Sequence, residues 1–254
     1  MHFIVIKLRT IKLALLLMLV IVMLSVGAQN KTAASVFFGR VIREVPIYRV
    51  ETDQKQVAIS FDAAWGADKT QDILDLLAEY NVSATFFLVG FWVEDYPEMA
   101  QKICDSGFEV GTHSNTHSDM SQLTKAQITE ELTLSKSKIE QSTNTNVKLF
   151  RAPFGAYNNT LIESARELGL TSIQWDVDSL DWKGLSAGEI TKRVINKARS
   201  GSIVLFHNNA DNIVDALRLV LDRLTKKGYD IVSIGEILIK DSYYVDSQGQ
   251  QREK

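Results

Sequence analysis

Phe108-Glu109-Val110-Gly111-Thr112-His113-Ser114-Asn115-Thr116-His117 decides how this chain is read. Its first half is a short β-strand, and its second half carries two of the chain's four histidines. On a continued strand His113 and His117 would share a face but lie ~13 Å apart, at ~3.3 Å per residue. Two ligands of one metal ion must be far closer, because metal–nitrogen bonds are ~2.0–2.1 Å. The chain is therefore expected to curl at His113. Ser114, Asn115, Thr116 and Ser118 favour turns and caps, and one helical turn would bring both imidazoles to one side. Taken alone, the spacing suits capping or surface histidines as well as a metal site. It is not HExxH, since Ser114 stands where that motif has glutamate. A metal hydrolase built here must take its general base from another part of the chain.

Outward from this strand and loop, strand-like and helix-like segments alternate. Strands are expected at residues 57–61, 84–89, 109–112, 147–150, 171–175, 202–206 and 230–232. Helices are expected at 69–80, where Ile73, Leu76 and Leu77 keep helical spacing, and at 97–106, with Pro97 near its start. Further helices are expected at 124–141, 158–168, 186–198, 212–227 and 234–239. Thr124 with Gln127 and Ser186 with Glu189 form capping patterns, and Gly169 and Gly228 close two of the helices. About seven βα units imply a parallel sheet with right-handed crossovers. An open doubly wound sheet and a barrel both satisfy this. No GxGxxG or Walker loop follows the first strand, which counts against nucleotide binding.

The chain has 254 residues, enough for one large domain, and a formal net charge of −3 with no basic stripe. Nucleic acid binding therefore has no electrostatic support. The lone cysteine, Cys104, is read as a small buried residue of a helix. Residues 1–28 read as a targeting segment. Lys7, Arg9 and Lys12 precede the apolar run Leu13 to Leu24, and Ser25-Val26-Gly27-Ala28 suits signal peptidase. Cleavage after Ala28 is the first expectation and an uncleaved N-terminal membrane anchor, its run stretched from Ile11 to Val26, the second. Either puts the domain outside the cytoplasm, secreted or anchored. Residues 29–54 are a lead-in, with Val36-Phe37-Phe38 and residues 45–50 as possible short strands. Residues 55–240 form the main domain, and the tail 241–254 is polar and expected to be loose.

The polar residues at strand ends then fall into a pattern. Asp62 follows the first strand, His113 the third, Arg151 the fourth, Asp176, Asp178 and Asp181 the fifth, and His207 the sixth. In a barrel or an open parallel sheet these ends converge on one face. Each aspartate alone would ordinarily be a cap or turn residue. The ordered set Ser60-Phe61-Asp62, His113-Ser114-Asn115-Thr116-His117, Arg151-Ala152-Pro153-Phe154-Gly155, Asp178-Ser179-Leu180-Asp181-Trp182 and Leu205-Phe206-His207 resembles the five motifs of the polysaccharide deacetylases. These are the NodB-homology enzymes of carbohydrate esterase family four. The resemblance covers Val57 to Leu238. Residues 61–66, with Val45-Pro46-Ile47-Tyr48 upstream, look like the sporulation-associated branch.

The resemblance implies an α/β fold, a distorted (β/α)7 TIM-like barrel, and metal-assisted removal of N-acetyl groups from amino sugars of a cell-wall polysaccharide, peptidoglycan or chitin-like. It implies Asp62 as general base, His113 and His117 as ligands of a divalent metal (zinc first, cobalt or manganese otherwise), and Arg151 as the group that keeps Asp62 ionised. Phe154 would lend its backbone N–H to the oxyanion. Asp178 would orient His207, the general acid, and Leu205 and Trp182 would line the acetyl pocket. Trp65, Phe91, Trp92 and Tyr157 are aromatics that could stack on sugar rings, with ordinary packing as the other reading of each. No nucleic acid partner is expected, and a monomer is. The departure is Ala63, where the family has a second aspartate that completes its metal triad. Two histidines with a weakly held ion, a substitute carboxylate (Asp62 itself, Asp68 or Asp119), or sugar binding without turnover are the alternatives. Because Asp62, Arg151, Asp178 and His207 all persist, an enzyme is the adopted expectation. A catalytically weak or inactive glycan-binding protein of the wall or spore envelope is its rival.

Overall fold

The strand expected from Val57 runs from Gln56 to Ala63, and every residue after the first is buried. A strand covered on both faces is the mark of a parallel sheet with helices packed outside it. The structure, a computed structural model, describes residues 8–29 and 43–254. Lys7, the Val36-Phe37-Phe38 strand and half of the 29–54 lead-in lie outside the described residues. The chain divides into two units, residues 1–42 and 43–254. The first holds α1 (Leu8–Gln29), whose described side chains between Ile11 and Met23 are exposed. Among the described residues no helix is long and apolar enough to cross a membrane.

The second unit runs β1 (Arg49–Val50), β2 (Gln56–Ala63), α2 (Thr70–Glu79), β3 (Thr85–Leu88), α3 (Gly90–Asp95), α4 (Pro97–Asp105), β4 (Glu109–Thr112) and α5 (Lys125–Thr143). It continues through β5 (Leu149–Phe150), α6 (Asn159–Glu167), β6 (Thr171–Ser172), β7 (Val177–Asp178), α7 (Ala187–Lys197), β8 (Ser202–His207), α8 (Ile213–Lys226), β9 (Asp230–Val232), α9 (Ile234–Ile237), β10 (Tyr243–Val245) and β11 (Gln250–Glu253). Parallel pairing gives the order β7-β8-β2-β3-β4-β5-β6, with β9 joining the start of β2. The sheet curls into the distorted (β/α)7 barrel that the motifs implied.

Side chains alternate across the strands. Ile59 and Phe61 pack outward into the main core, where the Phe61 ring stacks between Phe86 and Phe206 at 4.9 and 5.8 Å. Ala58, Phe87, Leu149 and Ile203 build a smaller inner cluster, closed below by Ile234 and Ile237 of α9. Ser60 and Asp62 share the parity of Ala58, so the strand carries them to the top of that interior. The capping boxes at Thr124 and Ser186 form as expected. Three elements differ from expectation, the first being the strand expected at 171–175, which ends at Ser172, with a separate β7 beginning at Val177. Helix α3 was not foreseen, because six residues are too few to display a helical period. The tail is ordered rather than loose: β10 and β11 form a hairpin, and β11 adds parallel to β1. Its Gln250 and Gln251 are buried, so polar composition concealed a strand whose backbone completes the barrel base.

Candidate active site

A cleft of about 550 Å³ opens at the C-terminal ends of the strands, with Asp62, His113, His117, Phe154, Asp178, Asp181, Trp182, Leu205 and His207 in its walls. Asp62 stands at the end of β2, paired across the sheet with His207 at the end of β8. Arg151, just past β5, is wholly buried. Its Nη1 donates to Asp62 Oδ1 at 2.7 Å, and Nη2 donates to Ser60 Oγ at 2.9 Å and to the Gln174 carbonyl at 3.3 Å. The guanidinium lies over the Phe87 ring at 4.1 Å and near Trp175 at 5.6 Å. Such a cation is fixed in place by its partners and cannot be shed by proton loss. Burial pushes the Asp62 carboxyl up, yet its surroundings, with the Arg151 guanidinium donating directly to it and His207 nearby, hold it below its ordinary value. Asp62 is therefore a carboxylate, aimed and ionised.

His113 Nδ1 donates to the Arg151 carbonyl at 2.8 Å, which turns Nε2 toward Asp62 Oδ2 at 3.4 Å. Burial drives His113 toward the neutral form. The chain does curl here, as the spacing required. Ser114 (φ 71°) and His117 (φ 57°) take left-handed backbone, and the two imidazole centroids stand 5.0 Å apart. His117 sits edge-on between Trp65 and Phe154, 4.7 Å from each ring. Burial and the adjoining His113 push His117 down to about 4, so it too is neutral near pH 7.

His207 corrects one assignment. Its Nδ1 donates to Asp181 Oδ1 at 2.8 Å and its backbone N–H donates to Asp181 Oδ2 at 2.7 Å. Asp178 lines the cleft but spends Oδ1 on the Leu180 N–H at 2.9 Å. That turn, with Leu180 at φ 55°, swings Asp181 back beneath the histidine. The partner of His207 is therefore Asp181, three residues beyond the one expected. Burial works against the charged imidazole, but Asp181, with Asp62 and Asp178 behind it, raises His207 above its ordinary value. Asp176 is corrected as well. It precedes β7, and its carboxylate accepts from Ser202 Oγ and the Ile203 N–H at the start of β8, the end opposite the cleft.

Leu205 and Trp182 border the cleft, and Phe154, with φ 60°, projects at its mouth. Tyr157 does not line the cleft. Its hydroxyl meets Tyr48 and Arg43, because the chain turns away after Gly155 to enter α6. Trp65 lines the cleft and Phe91 lies beside it at 6.3 Å, whereas Trp92 is fully buried and donates to the Gly66 carbonyl. The sequence reading placed Ser60 in the first motif without giving it a role, and it missed Trp175 as a member of the site. Ser60 carried a signal, since it lies two residues before Asp62 on the same strand face. Trp175 was the last residue of an expected strand and met the strand-end rule that found the aspartates.

The neutral histidine pair is suited to metal ligation, but its third partner is missing. Ala63 is completely buried between the cleft residues Asp62 and Ala64, and offers only a methyl group. Asp119 spends Oδ1 on Ser121, Asp68 is exposed and outside the cleft lining, and Asp62 is tied through Oδ1 to Arg151. Among the described residues no three His, Cys, Asp or Glu side chains are gathered to hold an ion. The residues present do not fit the three-ligand centre that the motifs imply.

Comparison with known proteins places these features in a family. A family model described as polysaccharide deacetylase matches residues 49–173. The chain is 33% identical to the uncharacterized protein YlxY of Bacillus subtilis, covering 76% of this chain and 60% of that one, so it spans less than two thirds of that relative. It is 32% identical to a peptidoglycan-N-acetylglucosamine deacetylase of Bacillus cereus, covering 75% of this chain and 92% of that one. A solved structure of a family-four carbohydrate esterase pseudoenzyme from Bacillus anthracis superposes with a TM-score of 0.74 at 34% identity, covering 76% of this chain and 69% of that one.

Proposed function

The chain belongs to the polysaccharide deacetylase family, and from that premise we propose that its cleft takes an N-acetylated amino sugar of a cell-wall polysaccharide, peptidoglycan or chitin-like, and hydrolyses the acetamide. One observation carries this reading. Two groups of opposite proton demand, each with its own buried partner, face a single cleft: Asp62 with Arg151 at 2.7 Å and His207 with Asp181 at 2.8 Å. Amide hydrolysis needs both kinds, a base to take a proton from water and an acid to protonate the departing amine. Asp62 is kept ionised for the first task, and His207, raised by Asp181, is biased toward its charged form for the second. Leu205 and Trp182 form the walls for the acetyl methyl, and the Phe154 N–H receives the developing oxyanion. Trp65 offers a face to a neighbouring sugar.

A divalent metal such as zinc, cobalt or manganese would find only His113 and His117 to hold it here, and turnover would then be slower than in a relative with a complete triad. The leader, as signal or anchor, delivers the domain outside the cytoplasmic membrane as a monomer, with sporulation as the setting.

A second reading has a specific observation in its favour. Ala63 removes a ligand, and the chain resembles a pseudoenzyme. On this reading the cleft holds glycan without cutting it. Acetate release from peptidoglycan and chitooligosaccharides separates the two, using purified chain stripped of metal and then given zinc, cobalt or manganese. Release that disappears in Asp62→Asn establishes the hydrolase. Glycan binding without release, with release gained in Ala63→Asp, establishes the binding protein. A folded chain that neither binds nor releases overturns both.

A further inference from the structure

The loop between β4 and α5 holds two non-glycine residues in left-handed backbone, Ser114 and His117. Each such residue costs of order 1 kcal/mol and persists only where its surroundings over-determine it. Inside the loop, the His117 N–H donates to Ser114 Oγ at 2.8 Å. On one side, α3 donates to it: the Gly90 N–H reaches the Ser114 carbonyl at 2.9 Å and the Phe91 N–H reaches the Asn115 carbonyl at 3.2 Å. On the other side stands one residue of α5. Glu131 Oε2 accepts the N–H groups of both Asn115 and Thr116 at 2.9 Å, and Oε1 accepts the Thr116 hydroxyl at 2.9 Å.

We propose that Glu131 is a positioning residue, which clamps this loop from α5 so that His117 stays between Trp65 and Phe154, opposite His113. It does not line the cleft and acts only through the loop. The chemistry suits the task. An ionised carboxylate accepts at both oxygens and donates nothing, which matches three converging donors, and bonds to a charged acceptor are the stronger kind. Its platform is firm as well. Ser135, one helical turn on and on the same face of α5, bonds to Thr112 at the end of β4. Ile128, Leu132, Ser135, Ile139 and Thr143 are the buried residues of that helix. A helix bolted to the strand before the loop thus also grips the loop itself. The consequence for ligand handling rests on the function proposed above, whereas the clamp itself does not.

The test compares the wild-type chain with Glu131→Ala and Glu131→Gln by NMR, following ring-to-ring Overhauser contacts of His117 with Trp65 and Phe154, and chitooligosaccharide affinity. Glu131→Ala is expected to melt within about 5 °C of wild type, to lose those contacts, and to bind glycan about tenfold more weakly. Glu131→Gln, which keeps an acceptor oxygen at the same reach, is expected to restore them. Contacts unchanged in Glu131→Ala overturn the proposal. Hydrogen exchange in the wild-type chain decides independently of whether the alanine variant folds. Slow exchange at the Asn115 and Thr116 amides supports the clamp, and exchange at the rate of an open loop overturns it. Lost ring contacts in a protein that binds no glycan leave the clamp standing and remove only the functional reading.

Discussion

Arg151 and Asp62 illustrate how much a single pair of residues decides here. The guanidinium is fully buried, and the carboxylate is its counter-charge. Breaking a buried pair from one side leaves the other charge uncompensated. Arg151→Met is expected to cost about 3–5 kcal/mol in urea unfolding and to let the Asp62 carboxyl rise. His207 makes the second residue-level prediction. Its ordinary value of 6.5 is raised by Asp181, so its charged form stabilises the folded state. That contribution is whole below 6.5 and is lost as pH rises through the raised value. The melting deficit of Asp181→Asn should therefore be fullest below pH 6.5 and shrink as pH rises through the raised value of His207, with a smaller pH-dependent deficit in Asp178→Asn. The motif order marked both aspartates. The resemblance pointed to Asp178 as the partner of His207, and the structure gives Asp181, because the pairing depends on a left-handed turn at Leu180 that sequence spacing does not display.

Helix α3 and the loop after β4 interlock at the level of elements. Gly90 opens α3 where a Cβ would come within 2.3 Å of Asn115 Oδ1 and 3.0 Å of its Cα. Gly90→Ala is expected to push the histidine loop outward and to lower glycan affinity by calorimetry, with a smaller effect on melting. The capping box of α5 is a local device and makes a local prediction: Thr124→Ala should cost about 1 kcal/mol in chemical unfolding. Most helices and strands were legible within a residue or two, since their apolar period and caps are properties of contiguous sequence. Helix α3 was not, and neither was the break between β6 and β7 that carries Asp176 to the far end of the barrel. Both are short, and their limits are set by what packs around them.

The terminal hairpin belongs to the molecule as a whole. β11 extends the sheet through β1, which in turn meets β8. Removing residues 241–254 strips a backbone partner from β1 and uncovers the barrel base, so melting should fall by about 5 °C or more. The chain's own order of strands, helices and polar strand ends was sufficient for a parallel α/β fold with those ends on one face, because periodicity and caps are written along the backbone, and the resemblance of its motifs pointed to the barrel, the family and the departure at Ala63. The partner of His207, the exclusion of Tyr157 from the cleft, the grip of Glu131 on the histidine loop and the lack, among the described residues, of a third ligand to replace Asp at position 63 emerged only in three dimensions. Each is a contact between side chains, or between side chain and backbone, brought together by the closing of the sheet, and no local propensity encodes the distance between them.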